Sequence, residues 1–265
     1  MVEVLFLGIG AALPMPGQTN SSYLLRTDDA CILVDCGPAI LQQLAAVGVS
    51  PGEITHIYLT HRHGDHILGY PMLMLWWSIA APPDASCPTI IAGELTFKSL
   101  DEIVDSVFGG HISELAAGAR RIVLPDRTPS TVQLSPHINL RTYPMNHAEF
   151  APDLGARFEV GGKVLAFTGD TSPCRDIAAL GQDADLLVHD STYSATLNPE
   201  FAEGVFGHST AQISGRSAGA AHARHLALVH IDAIYAGKQT VLLQEAQREF
   251  EGHVSVPIAG TLYTF

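Results

Sequence analysis

A chain of 265 residues with 14 basic against 27 acidic side chains carries a formal charge of −13 and no run of Lys or Arg. That balance argues against a protein that grips phosphate backbones, and so against nucleic acid as its partner. With 47% hydrophobic residues, the length suits one globular unit spanning residues 1–265 and built from two similar halves.

The opening "VEVLFLGIGAAL" has no basic leader and contains glycines, so it reads as a strand and a turn rather than a signal peptide. "SYLLRT" and "CILVDCG" read as further strands. Ile40, Leu41, Leu44 and Ala45, between Pro38 and Gly48, have the spacing of a short helix. "ITHIYLT" predicts a strand with the cluster His61, His63, Asp65, His66 directly at its end. The apolar run "ILGYPMLMLWWSIAA" is interrupted by Pro71 and is too short to span a bilayer. Its "MLMLWW" portion reads as an ordinary core helix, with a substrate wall or a homodimer face as alternatives.

"PTIIAG" predicts a strand, "ELTFKSLDEIVDSVF" a helix, and "INLRTYPM" a strand leading to His147. "GARFEVGGKVLAFTGD" reads as a hairpin turning at Gly161 and Gly162 and ending at Asp170. "ADLLVHD" and "LALVHI" are two more buried strands, separated by a small-residue helix "STAQISGRSAGAAHA" capped by Ser209 or Thr210. Cys31, Cys36, Cys87 and Cys174 form no CxxC pair, which predicts reduced thiols and a cytoplasmic protein without membrane association.

The candidate ligands recur at strand ends, where a shared sheet can bring them together. Residues two apart in an extended segment point the same way, so His61 and His63 can serve one ion. Gly64 permits a turn that presents Asp65 and His66 to a second. Imidazole and carboxylate donors suit zinc, with manganese or iron as alternatives. His56, His111, His137, His189, His222, His225 and His253 fit no ligand position, although His222 or His225 could approach the site from the adjoining helix.

The HxHxDH of "THRHGDH", followed in order by "MNHAEF", "FTGDTS" and "LVHI", resembles the metallo-β-lactamase superfamily across nearly the whole chain. The resemblance implies an α/β fold, an αββα sandwich of two mixed sheets packed face to face with helices outside. It also implies a ligand set: His61, His63 and His147 on one divalent metal, Asp65, His66 and His230 on another, and Asp170 bridging both. Such a pair supports hydrolysis by a metal-bridging hydroxide. A redox enzyme on the same fold, or a metal-free binding module, are the competing readings.

"FLGIGAALPMPGQTNSSYLL", "ILVDCG", "GDTSPCRDIAAL", "ADLLVHDSTY" and "GHSTAQISGRSA" resemble the branch that contains ribonuclease Z and its phosphodiesterase and arylsulfatase relatives. By that resemblance Asp190 and His208 form an acid/base pair beside the metals, with Asp190 where ribonuclease Z has a glutamate. With Asp65, counted also as a ligand, they are the catalytic candidates. The tRNA-gripping arm of bacterial ribonuclease Z has no counterpart here, because one hairpin fills the segment from His147 to Asp170. The expectation is therefore a phosphodiesterase for small phosphodiesters. An arylsulfatase, lactonase or thioesterase on the same scaffold is the alternative, and a tRNA 3′ endonuclease ranks below it.

Overall fold

The computed structural model describes residues 1–82 and 85–265. The first sheet is built from β1 (Glu3–Gly8), β2 (Ser22–Arg26), β3 (Cys31–Val34), β4 (His56–Tyr58), β5 (Thr89–Gly93) and β6 (Arg121–Leu124). The second contains β7 (Ser130–Ser135), β8 (Ile138–Ala148), β9 (Ala151–Val160), β10 (Lys163–Phe167), β11 (Leu186–Asp190), β12 (His225–Val229) and β13 (His253–Ser255). The chain then returns to the first sheet, where β14 (Leu262–Thr264) lies antiparallel beside β1. Both sheets are mixed: β1 to β3 and β7 to β10 run antiparallel, while β3 to β6 and β10 to β13 are parallel.

The strands of the first sheet are apolar on both faces because each face meets a different core, and the period of two sorts them. Val4, Phe6, Tyr23, Leu25, Ile32, Val34, Tyr58 and Ile91 face the second sheet, against Leu140, Leu154, Phe158, Leu165 and Phe167. Their neighbours Leu5, Leu7, Leu24, Leu33, Ile57, Ile90 and Ala92 face outward onto helices. These helices are α1 (Ile40–Ala46), α2 (Gly64–Ile67), α3 (Tyr70–Ile79), α4 (Glu94–Val107) and α5 (Gly110–Gly118). On the second sheet α6 (Asp176–Gly181), α7 (Ala211–Ala220) and α8 (Gln239–Gln247) follow, so the expected αββα layering is what the chain forms.

"MLMLWW" lies in α3, which buries Tyr70, Pro71, Leu73, Met74 and Trp77, so the core-helix reading holds for its inner face. Gly64 differs from expectation: it makes no sharp left-handed turn but opens α2, with His63 as the N-cap. The helical turn, rather than a glycine kink, carries Asp65 and His66 back over the strand end. Thr210 is the cap of α7, accepting from the backbone of Ile213 at 3.3 Å. All four cysteines are free. Among the described residues no helix is long and apolar enough to cross a membrane.

Candidate metal centre

The centre forms where the ends of strands from both sheets meet. Tyr58 donates its hydroxyl to the carbonyl of Leu154 at 2.7 Å, and the Leu154 amide donates to the carbonyl of Thr60 at 3.0 Å. These two bonds stitch the end of β4 to β9 and set the Asp153 carboxylate against His61, whose Nδ1 lies 2.9 Å from Asp153 Oδ2. The hydrogen bond of His61 Nδ1 goes to Thr60 Oγ1 at 3.0 Å, and because that hydroxyl donates to Asp35, the ring donates Nδ1–H and presents Nε2 as a lone pair. His147 is fixed in the same sense, donating Nδ1–H to the carbonyl of Gly207 at 2.9 Å.

Both Nε2 atoms converge on His63 Nδ1, at 3.0 Å from His61 and 2.9 Å from His147. One proton on His63 Nδ1 can satisfy only one of them. Three ring nitrogens so placed, with Asp170 Oδ2 at 3.6 Å from His61 Nε2, cannot all be paired by hydrogen bonds, and a cation is what completes them.

A second donor set adjoins the first. His66 donates Nδ1–H to Asp35 Oδ2 at 2.8 Å, which leaves its Nε2 buried without a hydrogen-bond partner, 3.3 Å from Asp65 Oδ2 and 3.4 Å from Asp170 Oδ2. His230 Nδ1 lies 2.8 Å from the hydroxyl oxygen of Thr192, and that hydroxyl itself donates to Asp190 Oδ1 at 2.6 Å. The oxygen must therefore accept from His230 Nδ1–H, which turns Nε2 toward the carboxylates, 3.3 Å from Asp65 Oδ2 and 3.3 Å from Asp170 Oδ1. His61, His63, His147 and Asp170 thus make one group, and Asp65, His66, Asp170 and His230 another, each with its donor atoms within 4.8 Å of one another. Asp170 belongs to both.

A third group of Asp170, Asp190, His208 and His230 is equally compact, but its chemistry is different. His208 turns Nδ1 toward Asp190 Oδ2 at 2.9 Å, and Asp190 also accepts from the amides of Thr171 and Thr192 and the Thr192 hydroxyl. Its carboxylate is saturated by donors and held in the anionic form. The aspartate at the place of a longer glutamate still reaches the histidine.

Ionisation follows these contacts. Burial, with His66 beside it, holds His61 well below the usual histidine range, and burial with His147 nearby lowers His63 to about 4. His66 goes the other way: burial opposes its charge, yet Asp170, Asp65 and Asp35 outweigh burial and raise it well above its ordinary value. For His208 burial is likewise overcome, here by Asp190 and Asp170, and its pKa rises to about 9. Asp170 and Asp65 are held well below the carboxylate range despite burial, by His230 and His66 around the first and His66 and His230 around the second.

Asp35, Asp153, Thr192 and the Gly207 carbonyl, which orient the rings, were not among the sequence candidates. Asp35 could have been found, since it ends the "ILVDC" strand as the other candidates end theirs, and it takes a left-handed φ of 60°. Asp153 lies within β9 and gave no signal. Its tightness against the site is seen at Gly169, at φ 63°, where any side chain would run into the Asp153 carboxylate. His225 does not approach the site. It starts β12, which His230 follows, about 16 Å away at strand rise, and it packs on His253 and Tyr263.

The family model described as "Anti-Pycsar protein Apyc1" matches residues 2–202. The chain belongs to that family. Ribonuclease Z of Mycobacterium avium (strain 104) is 30% identical over 268 residues, covering 97% of this chain and 95% of that one. Among solved structures, the metallo-β-lactamase fold protein YhfI from Bacillus subtilis has a TM-score of 0.80 at 21% identity, with 99% of this chain and 98% of that chain covered. Human tRNase Z, short form, has a TM-score of 0.77 at 24% identity, again covering 99% and 98%. This Apyc1-family protein is therefore a metal-dependent hydrolase of the metallo-β-lactamase superfamily, in its ribonuclease Z and phosphodiesterase branch.

Proposed function

We propose that this Apyc1-family protein is a dinuclear phosphodiesterase acting on small phosphodiesters. In this reading His61, His63 and His147 hold one divalent cation, zinc by its donor chemistry. Asp65, His66 and His230 hold the second, and Asp170 is shared. The observation that carries it is the set of ring nitrogens that converge about Asp170, beside a histidine kept protonated by a saturated aspartate. Bound cations supply charge neutralisation of the phosphoryl oxygens and an activated water. The chain supplies the rest. Thr60 with Asp153, Asp35, Thr192 and Gly207 orient the rings, and His208 holds a proton on the imidazole that Asp190 stabilises, ready for the departing alkoxide.

A second reading is cleavage of pre-tRNA, favoured by the ribonuclease Z relatives. The Mycobacterium avium enzyme is matched over 95% of its length, so the short hairpin between His147 and Asp170 does not by itself separate this chain from proteins of that name. Net charge supports the small substrate, since a formal −13 opposes a polyanion. Zinc-loaded protein should turn over nucleotide phosphodiesters faster than aryl sulfate, lactone or thioester substrates, and should leave pre-tRNA uncut at physiological salt. Site-specific 3′ cleavage of pre-tRNA there overturns the small-substrate assignment, and a preference for one of the other esters overturns phosphodiesterase.

The proton held on His66 gives a further expectation. A cation on its Nε2 must displace that proton, so zinc loading at pH 7 should release protons and zinc affinity should fall as pH is lowered. Calorimetric titration in two buffers of different ionisation enthalpy measures the release. Loading without proton release removes His66 from the ligand set.

A further inference from the structure

Glu245 is a buried carboxylate outside the metal centre, yet the donors it takes all come from the two segments that carry Asp190 and His208. It lies on the inner face of α8 and is 2% exposed. Its Oε2 accepts from the Ser194 hydroxyl at 2.6 Å and the Thr196 amide at 3.2 Å, and its Oε1 accepts from the amides of Ala195 at 2.7 Å and Gln212 at 3.2 Å. Ser194 to Thr196 follow shortly after Asp190, and Gln212 lies in the first turn of α7, shortly after His208.

The two members of the acid/base pair sit on unequal supports. Asp190 ends β11, an interior strand of the second sheet, and is fixed by it. His208 lies in the loop before α7, ahead of the Thr210 cap. Where His208 falls relative to Asp190 therefore depends on how the first turn of α7 is seated against the segment that follows β11. Backbone bonds begin that seating: the Tyr193 amide donates to the Ser209 carbonyl at 3.1 Å, and the Ala211 amide to the Tyr193 carbonyl at 2.9 Å. Glu245 completes it from the far side by holding both segments on one carboxylate. Its own place is set by close packing, because at Gly215 a side chain would run into the backbone of Ala246, so α7 and α8 meet there with nothing between them.

Resting on the phosphodiesterase reading, we propose that Glu245 is a positioning residue for proton delivery: by clamping residues 194–196 to the first turn of α7, it keeps His208 at hydrogen-bond distance from Asp190 and aligned with the departing alkoxide. It touches neither substrate nor cation, so its effect passes entirely through His208.

The test uses Glu245→Gln, equal in size, whose NH2 group would face donors that the carboxylate accepts. On zinc-loaded protein this variant should lower kcat for an alkyl phosphodiester about tenfold at unchanged KM, a part of what a positioned acid supplies. Cation content and kcat for a nitrophenyl phosphodiester, whose leaving group needs no proton, should stay at wild-type values. In a His208→Ala background Glu245→Gln should cost nothing further, since the two changes remove one function. Glu249→Gln is the control: that carboxylate, one turn along α8, holds the Gln212 side chain at 2.6 Å, and its loss should alter neither substrate. Where Glu245→Gln does not fold, Ser194→Ala, which removes one donor of the clamp, carries the test by the same comparisons with a smaller deficit. Equal losses on the two substrates, a lost cation, or a further loss in the His208→Ala background mean that Glu245 only holds the fold, and full activity on the alkyl substrate means that the pair needs no clamp; each overturns the proposal. If His208→Ala itself shows no dependence on the leaving group, the acid role in the phosphodiesterase reading falls, and the clamp with it.

Discussion

Asp170→Ala should retain less than one cation per chain where wild type retains close to two, and its kcat should fall about 10³-fold or more, beyond the usual cost of removing a single transition-state donor. The carboxylate is the one group shared by both donor sets, with Oδ2 toward His61, His66 and His147 and Oδ1 toward His230. Its removal would take an anion from each donor set and leave the charges of two bound cations less neutralised, so that each set would hold its cation more weakly. The fold should survive, because the bonds that place Asp170 come from its backbone: its amide donates to Asp153 Oδ2 at 2.9 Å, which alanine keeps. Metal analysis after gel filtration and a circular dichroism melt check the two halves of the statement. A variant holding two cations would remove Asp170 from the bridging position, and one that fails to fold would make the carboxylate a structural group; Asp170→Asn, equal in shape but uncharged, distinguishes the second outcome.

His208→Ala should keep both cations and a normal melt while losing about 10²-fold to 10⁴-fold in kcat on alkyl phosphodiesters, the range of a positioned acid or base. An alkoxide leaves poorly unless it is protonated as the bond breaks. The raised pKa of about 9 means that His208 carries the proton at neutral pH, with Nδ1–H on Asp190. The sign of the pH dependence follows: an acid must be protonated, so kcat falls as pH rises through its pKa. With cations offsetting Asp170 that limb lies at or below about 9. His208→Ala should lack the alkaline limb, and its deficit should shrink on a nitrophenyl ester, whose leaving group needs no proton. Loss of a cation in this variant would instead make His208 a ligand, within the third compact group, and would reopen the role of His230. Full activity on alkyl esters would end the acid assignment.

The candidate metal-binding loop was legible because its information is local. "THRHGDH" follows an apolar strand run, and alternation alone puts His61 and His63 on one side. His147, Asp170 and His230 were legible for a related reason: each follows a run whose periodicity marks a strand, and strand ends of a common sheet system meet. The sandwich itself was implied by the resemblance of these motifs to the metallo-β-lactamase superfamily, and the strand runs are compatible with it. Periodicity could not give the edge strands β6, β7, β13 and β14, most of whose residues are partly buried or exposed and so carry weak patterns.

Sequence by itself therefore determined the donor types and their order along the chain, since these depend on residue chemistry and on which side of a strand a residue faces, while the layered fold was read through the family resemblance that those motifs carry. Tertiary structure alone decided how those donors are tuned. Asp35 meets His66 because an α-helical turn, not a glycine kink, folds the loop back onto β3. Asp153 meets His61 because Tyr58 ties one sheet to the other, and the orienting partner of His147 is a backbone carbonyl with no residue identity to read. Hydrophobic periodicity states that a side chain is inward or outward, but which groups touch across two sheets is fixed by the packing of the whole chain.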